Sequence, residues 1–343
     1  MASTYTTRAR LEKQGDGEND DTWGTKLNTV LDLIDEGMEG YLAKSVAGSS
    51  DITLTSSNSA SDESRQAVLK FTGALTGNIN VIVPAVEKKY IVWNATSGNF
   101  TLTFKPSGGT GLVIPQGFTW SVFTDGSTMF STTRGSTQKR VYTANDTWTK
   151  PAGLIAIDVV VVGGGGGGGG CAASGASESA EAGGGGGGGT GFKRILAASL
   201  GATETVTVGA GGTAGATGAN NGSTGGTTSF GAHVTGLGGT GGTGSAATST
   251  SARNDGGSGG LAGTADYVVS GSDGGTGVVI TGLRLHSGRG GGSAFGGEKQ
   301  QLTNAGIGLN YGGGGGGRTF GASTSAGAGY DGAPGICIVT EYF

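Results

Sequence analysis

The residues that could do chemistry in this chain are few and far apart. Its 343 residues include two histidines, His233 and His286, and two cysteines, Cys171 and Cys337. Neither histidine has a cysteine or a second histidine at the spacing of a metal site. No pair of acidic residues of the kind that hydrolyses glycans stands out in the glycine-rich half. The sequence therefore predicts no catalytic residue, no metal and no cofactor, and we expect that the protein is not an enzyme.

One glycine-rich stretch satisfies the spacing of a phosphate-binding loop. Gly163–Gly168 contains G-x-G-x-x-G and follows an apolar segment, Ile155–Val162, that has the character of a strand. A dinucleotide site requires a helix that begins directly after the glycines. Here Cys171–Glu178 leads back into glycine, and the chain has no G-x-x-x-x-G-K-[ST] sequence. The match is therefore a consequence of composition, and we predict no nucleotide site.

The charge, the hydropathy and the cysteine content of the chain exclude further classes of protein. The net charge is −4 and no basic cluster is present, so the chain has no electrostatic means of binding nucleic acid. The best apolar run, Leu154–Val162, is shorter than the roughly 20 residues of a membrane helix and contains Asp158. The two cysteines form no disulfide framework. We expect synthesis in a reducing cytoplasm and no membrane insertion.

Glycine divides the chain into two parts. Of the 78 glycines, 15 lie in residues 1–150 and 63 in residues 151–343. They come in unbroken runs, which is not the strict three-residue repeat of collagen. We predict a mainly β fold made of four segments: a short helix within 1–45, a sandwich-like β-module at 46–134, a linker and entry strand at 135–150, and a glycine-rich domain at 151–343 in which strands frame polyglycine runs.

A helix is predicted to begin at Trp23, where apolar residues recur every three or four positions. These residues are Trp23, Leu27, Val30, Leu31, Ile34, Met38, Tyr41 and Leu42. A Ser/Thr-rich strand region follows at once, so the helix has little core of its own. The stripe therefore needs a partner, which is either the neighbouring β-module, another copy of the chain or a larger particle.

The β-module consists of short alternating segments separated by turn residues, which is typical of a sandwich or barrel. The predicted strands are Asp51–Thr55, Gln66–Phe71, Ile79–Val83, Tyr90–Trp93, Phe100–Phe104, Leu112–Ile114, Thr119–Phe123 and Thr128–Ser131.

The β-module also resembles a module that recurs in bacteriophage tail-fibre and tail-tip proteins. The resemblance covers roughly Ala67–Phe130 and rests on spaced phrases, which are FTGALTGNINV from Phe71, YIVWNATSGNFTL from Tyr90 and IPQG from Ile114. It implies a structural spacer near a virion and does not imply an activity.

The glycine-rich part resembles the glycine-rich domain of phage tail fibres. It opens with TWTKPAG from Thr147 and a strand into Gly163–Gly170, continues through TVTVGAGG from Thr205, and closes on a strand near Ile336–Tyr342. The clean runs have matching lengths, and they are either flexible linkers or packed polyglycine II helices, which extend about 3.1 Å per residue. We favour the packed form, as in certain T-even-like phage adhesins, although residues 209–297 contain scattered Gly-Gly-Thr phrases instead of clean runs.

These resemblances imply a non-enzymatic, homotrimeric tail-fibre or tail-tip adhesin located in the virion tail. Its N-terminal segment would attach to other virion proteins, and its C-terminal loops would bind a glycan or an outer-membrane protein of the host. The alternative is a tail or capsid decoration protein without receptor contact. Candidate attachment residues are Trp23, Leu27, Leu31, Ile34 and Met38, and candidate receptor-binding residues are Phe295, Tyr311, Phe320 and Tyr330. The loops expected to bind are Cys171–Ala182, Thr243–Asp255, Thr264–Asp273, Glu298–Gly308 and Thr319–Tyr330.

Overall fold

A computed structural model describes residues 3–18, 20–132, 135–281, 283–286, 288–297 and 306–343. The chain is mainly β, with one α-helix among these residues, as the sequence predicted. It forms two compact units. Unit 1 consists of residues 1–136, 151–154 and 343, and unit 2 consists of residues 137–150 and 155–342.

Unit 1 contains eleven strands and the α-helix within its described residues. Its elements are β1 (Thr4–Tyr5), β2 (Glu12–Lys13), α1 (Trp23–Glu39), β3 (Tyr41–Ser45), β4 (Ile52–Thr53), a 3-10 turn (Glu63–Arg65), β5 (Val68–Ala74), β6 (Ile79–Val83), β7 (Glu87–Ser97), β8 (Leu102–Pro106), β9 (Leu112–Ile114), β10 (Thr119–Asp125) and β11 (Met129–Ser131).

Two sheets form the sandwich of unit 1. Their strand orders are β11-β10-β7-β5-β3 and β4-β6-β8-β9. Strands β3 to β8 belong alternately to one sheet and the other, and the pairs β3–β5, β5–β7, β4–β6 and β6–β8 are all parallel. Leu69, Phe71, Val81, Tyr90 and Phe104 are buried in the core. The sandwich agrees with the sequence prediction, but the parallel pairing was not anticipated.

Helix α1 is shorter than the apolar stripe predicted. It ends at Glu39, and Gly40 is extended, with φ −61° and ψ 143°. Tyr41 and Leu42 therefore belong to β3, where they pair with Val68 and Leu69 of β5. Pairing with β5 satisfies the backbone of these residues better than another turn of a glycine-weakened helix would.

Unit 2 contains fourteen strands within its described residues. They are β12 (Thr137–Tyr142), β13 (Asp146–Thr149), β14 (Ala156–Val162), β15 (Ala180–Glu181), β16 (Thr190–Leu196), β17 (Thr203–Thr207), β18 (Thr228–Phe230), β19 (Val234–Gly236), β20 (Ala252–Asn254), β21 (Tyr267–Val269), β22 (Gly277–Ile280), β23 (Leu283–His286), β24 (Thr319–Phe320) and β25 (Ile336–Tyr342), with a 3-10 turn at Ala197–Ser199.

The first glycine run, 163–170, is enclosed by six other segments of the same chain. Its backbone N–H groups donate in turn to three neighbours, and each neighbour accepts from every third residue at 2.8–3.0 Å. Three further neighbours donate to its carbonyl oxygens over the same distances. The accepting segments are 183–189, 220–226 and 327–333, and the donating segments are 212–215, 239–245 and 315–318. This threefold pattern is the hydrogen bonding of packed polyglycine II helices.

The second run, 183–189, is enclosed in the same way, and the first run is one of its six neighbours. Around these two central segments lie eight others, each hydrogen-bonded to the next in chain order. The ring closes because Gly329, Gly332 and Gly335 donate to Gly215, Gly212 and Gly209. We call these ten segments the glycine lattice: 163–170, 183–189, 209–215, 220–226, 237–245, 255–261, 271–275, 288–292, 312–318 and 327–335.

Glycine is required in the central segments because there is no space for a side chain. None of the glycines in 163–170 or 183–189 has a positive φ, so their backbone conformation does not itself demand glycine. A Cβ added at any residue of 163–170 would lie 2.0–2.3 Å from a backbone carbonyl oxygen of a neighbour. The Cα hydrogens therefore point at these oxygens, as in Cα–H···O contacts. The runs are packed, and the flexible-linker alternative does not apply to them.

The Gly-Gly-Thr phrases belong to the outer ring. In Leu237–Thr243, every third residue is exposed and the glycines between are half-buried or buried. Asp255–Leu261 repeats this pattern with Asp255, Ser258 and Leu261 exposed. A helix with three residues per turn and one open side needs glycine at only two positions in three. The scattered phrases are therefore part of the lattice and not a departure from it.

Candidate functional site

The direction of each lattice segment determines where its connecting loop lies. Segment 183–189 runs antiparallel to 163–170, and the alternation of direction continues through all ten segments. Consecutive connections therefore lie at opposite ends of the glycine lattice. We call the end at Gly163 the strand end and the end at Gly170 the loop end.

The strand end carries the larger sheets of unit 2, ordered β12-β25-β14-β16-β21 and β13-β17-β18-β19. Strand β14 continues directly into Gly163, Gly189 continues into β16, and Gly335 continues into β25. The pairing of β14 with β16 and β25 thus passes without a break into the hydrogen bonds between the glycine segments. Glycine runs have no side chains that could set the register between neighbouring segments. The side chains of the adjoining strands set it instead.

A buried carboxylate links the first and last strands of unit 2. Glu341 on β25 is fully buried and accepts hydrogen bonds at 2.7 Å from Trp148 Nε1 and from Arg140 Nε. Trp148 is also fully buried and meets the ring of Phe230 edge-on, with centroids 5.5 Å apart. The chain therefore enters and leaves the glycine-rich unit at its strand end.

The loop end gathers five connections from distant parts of the sequence. They lie between residues 170 and 183, 215 and 220, 245 and 255, 275 and 288, and 318 and 327. Two small sheets join them, β15 with β24 and β20-β22-β23. Bridges from Cys171 to Ser245 and Gly327 connect three of the loops where they leave the lattice.

A small core supports these loops. Cys171, Ala180, Ala182 and Phe320 are buried together, and burial raises the pKa of the Cys171 thiol to about 12. Buried polar groups add hydrogen bonds between loops, since Thr319 Oγ1 donates to Glu181 Oε1 at 2.7 Å. Such contacts join the bases of the loops to one another.

The exposed tips of the loops carry small and hydroxyl-bearing side chains. Exposed positions include Ala173, Ala176, Ser177, Ser249, Thr250, Ser251, Arg253, Ala322, Ser323 and Ser325. Arg253 adds a guanidinium paired with Asp255 at 2.9 Å, and both side chains are 73% exposed. The arrangement offers hydroxyl and backbone groups for hydrogen bonding on a rigid support, which suits a polar surface.

The four predicted receptor-binding aromatics are divided between the two ends. Phe320 lies at the loop end but is only 8% exposed, because its ring packs in the small core beneath the loops. Tyr330 is half-buried nearby, and its hydroxyl accepts a 2.8 Å hydrogen bond from Arg318, which also lies over the Phe320 ring. Phe295 and Tyr311 lie at the strand end, where Phe295 is 41% exposed.

The predicted binding loops divide in the same way. Cys171–Ala182, most of Thr243–Asp255 and most of Thr319–Tyr330 lie at the loop end, whereas Thr264–Asp273 belongs mainly to the strand end. Residues 298–305 of Glu298–Gly308 lie outside the described residues. Sequence reasoning missed the loop-end residues 216–219, 276–281 and 283–286. Counting the glycine-rich segments and alternating their directions would have found them.

The second candidate surface is the exposed side of α1. The five predicted attachment residues are exposed by 40–67% of their surface: Trp23, Leu27, Leu31, Ile34 and Met38. Leu33 is the buried residue of the helix. Packing within the described residues therefore leaves these five side chains largely exposed.

The described residues contain no group of three or more His, Cys, Asp or Glu side chains that could hold a metal ion. Within the same residues, no helix is long and apolar enough to span a membrane.

The model of one protein family, described as a glycine-rich domain, matches residues 137–342. This range covers more than half of the chain and includes all of unit 2. A comparison with curated proteins gives no significant match.

Proposed function

The chain belongs to the glycine-rich domain family, and we propose that it is a non-enzymatic tail-fibre or tail-tip adhesin of a bacteriophage. The observation that carries the proposal is the loop end of the glycine lattice. Five loops converge there on a rigid backbone scaffold, and the chain enters and leaves the unit at the other end. Loops held in this way commonly contain the residues that bind a ligand or partner. Both the β-module and the glycine-rich part resemble modules of phage tail fibres, and this resemblance supports a location in the virion tail.

The adhesin recognises a host surface, either a glycan or an outer-membrane protein, through the loop-end tips. Exposed serine and threonine hydroxyls suit hydrogen bonding to such a polar surface. The N-terminal segment attaches the protein to other virion proteins of the tail. The exposed apolar side of α1 supports the proposed attachment to virion proteins, since exposed apolar stripes of this kind mark interaction sites.

Cell adsorption of the purified protein tests the adhesive role. We expect Ser177→Trp and Ala322→Trp to abolish adsorption, because both residues are exposed at loop-end tips and the indole would block close approach. Thr224→Trp is the matched control, since Thr224 is exposed on the side of the lattice.

A structural role without receptor contact is the second candidate, and the lack of exposed aromatic anchors among the loop-end tips described here favours it. Equal adsorption by all three tryptophan variants, or no adsorption by the wild-type protein, would support that candidate and refute the adhesin.

Attachment is tested separately in particles. A chain that begins at Gly40 lacks α1 but keeps every strand from β3 onward. We expect it to fold and to be absent from purified virions. Its presence at normal copy number would show that attachment lies elsewhere.

A further inference from the structure

One face of the five-stranded sheet of unit 2 carries an apolar row of side chains beside a polar row. Residues that stand opposite one another in neighbouring strands lie on the same face of a sheet. The pairing registers therefore align five apolar residues, one from each strand, which are Val141, Ile338, Val160, Phe192 and Tyr267. At about 4.8 Å per strand, this row is roughly 19 Å long. The row beside it contains Lys139, Thr340, Asp158 and Arg194.

Two aromatic rings stand together at one end of the apolar row. Phe192 on β16 and Tyr267 on the edge strand β21 are stacked, with centroids 4.6 Å apart and planes 8° from parallel. Tyr267 is nevertheless 63% exposed. Each ring of a stacked pair keeps one face outside the stack. Tyr267 therefore offers a flat apolar surface whose orientation is fixed by Phe192.

Asp158 and Arg194 are held close to these rings. Asp158 interrupts the otherwise apolar strand β14, and its carboxylate accepts a 2.6 Å hydrogen bond from the Tyr342 hydroxyl. The same carboxylate lies 3.5 Å from Arg194 Nη1, and the two side chains remain 39% and 57% exposed. The Arg194 guanidinium also lies over the Tyr342 ring, 4.7 Å from its centroid. A carboxylate has about four acceptor sites and a guanidinium has five donors, so both groups can make further hydrogen bonds.

A groove of about 510 Å³ lies over this part of the face. Its volume falls within the range of roughly 300–1,000 Å³ that is usual for small-molecule sites, which combine aromatic walls with a few polar groups. The charged residues that line it are Asp158, Asp266, Lys193 and Arg194. Their two negative and two positive charges cancel, so the groove has no net charge that would favour an ionic ligand.

We propose that this groove binds a neutral oligosaccharide of gluco configuration, whose sugar rings lie on the apolar row and whose hydroxyls meet the polar row. A pyranose with equatorial substituents has C–H groups on both faces and hydroxyls around its rim. Its face stacks on Tyr267, and its hydroxyls donate to Asp158 and accept from Arg194. An extended peptide would instead pair with the edge of β21 that faces away from β16 and would not use Asp158. The groove is separate from the loop-end tips and does not depend on adhesion through them.

Isothermal titration of the full chain with cellotriose, a neutral trimer of β-linked glucose, tests the groove. We expect binding that Tyr267→Ala weakens about tenfold, because the stacking surface is lost. Tyr267→Phe keeps the ring and should bind as the wild type does. Val268→Ala is the matched control, since Val268 is 52% exposed but lies on the other face of the same strand. Asp158→Asn should weaken binding as well, because an amide has only one acceptor oxygen.

Several results would overturn the assignment of this groove to a sugar. They are a wild-type protein that does not bind cellotriose, equal affinities of the Tyr267→Ala and Val268→Ala variants, and binding that is lost in Ser177→Trp but kept in Tyr267→Ala, which would place the sugar at the loop end. A Thr-Val-Thr-Val-Thr peptide that displaces cellotriose, and that Tyr267→Ala still binds, would assign the surface to strand addition instead. Thermal melts check that the variants are folded, which is expected because Tyr267 is exposed. Cell adsorption tests the loop-end tips separately, so its failure would leave these titrations unchanged.

Discussion

Adding two methyl groups to the centre of the glycine lattice should destabilise unit 2 strongly. In Gly166→Ala the new Cβ would lie 2.1 Å from the carbonyl oxygen of Thr240, and in Gly167→Ala it would lie 2.0 Å from that of Thr213. Both distances fall more than 1 Å short of ordinary carbon–oxygen contact. The obstructing atoms belong to backbone that is itself hydrogen-bonded, so no rotamer change can relieve the overlap.

The size of the effect follows from two opposing contributions. Overpacking a well-packed core usually costs about 1–3 kcal/mol per site, and here the upper end applies because backbone has to move. The reduced entropy of the unfolded chain returns about 0.4–1 kcal/mol per alanine. Gly166 and Gly167 are adjacent, so one shift of the backbone can relieve both overlaps and their effects need not add. We expect a net loss between about 2 kcal/mol, the value for one site, and about 4–5 kcal/mol, the sum of both, which corresponds to a decrease of roughly 4–20 °C in Tm for a unit of this size.

Differential scanning calorimetry of the full chain measures this decrease. Gly297→Ala is the matched control, because Gly297 is exposed and a Cβ there would meet no atom within 4 Å. That change should leave the Tm unchanged or slightly raised. A double alanine variant that melts at or above the temperature of the Gly297 variant would falsify the packed lattice.

The remaining predictions concern buried titratable groups. Glu341→Gln removes the charge that accepts the Trp148 N–H, and we expect a loss of about 2 kcal/mol in denaturant unfolding followed by tryptophan fluorescence. Burial raises the pKa of both Cys171 and Cys337 to about 12, above the unfolded value near 9. Their contribution to the stability of unit 2 is therefore full below pH 9 and decreases as the pH rises towards 12, and replacing both by alanine should flatten that decrease in a pH series of melts. Burial lowers the pKa of Lys88 to about 8, so the unfolded chain binds more protons between pH 8 and 10 and unit 1 should gain stability over that range, a gain that Lys88→Met should remove.

Local sequence pattern predicted the elements of this protein well where side chains alternate or repeat. Strands Ile79–Val83 and Leu112–Ile114 have the bounds that alternation and turn residues indicated. Helix α1 begins at Trp23 as expected. Its end at Glu39 was missed because the choice between another helical turn and strand β3 depends on pairing with Val68–Ala74, which is distant in sequence.

The candidate site was less accessible to sequence reasoning. Phe320 and Phe295 look alike in the sequence, as aromatic residues beside glycine, yet they lie at opposite ends of the lattice and differ fivefold in exposure. Which end a residue occupies depends on how many times the chain has reversed before it. Arg318 was missed for the same reason, since only the fold places it between Phe320 and Tyr330.

By itself, the sequence favoured close packing of the backbones of unit 2, because clean glycine runs leave no side chains to separate them, and the structure confirms that packing. It also indicated which segments are most enclosed, since the clean runs 163–170, 183–189 and 312–317 are buried throughout, while segments such as 237–243 have an exposed side chain at every third residue. Only the tertiary structure decided which loops share an end, which aromatic residues meet, and that the apolar side of α1 stays exposed. Glycine runs carry no side-chain information to select their neighbours, so the strands at the strand end and the alternation of direction make that selection.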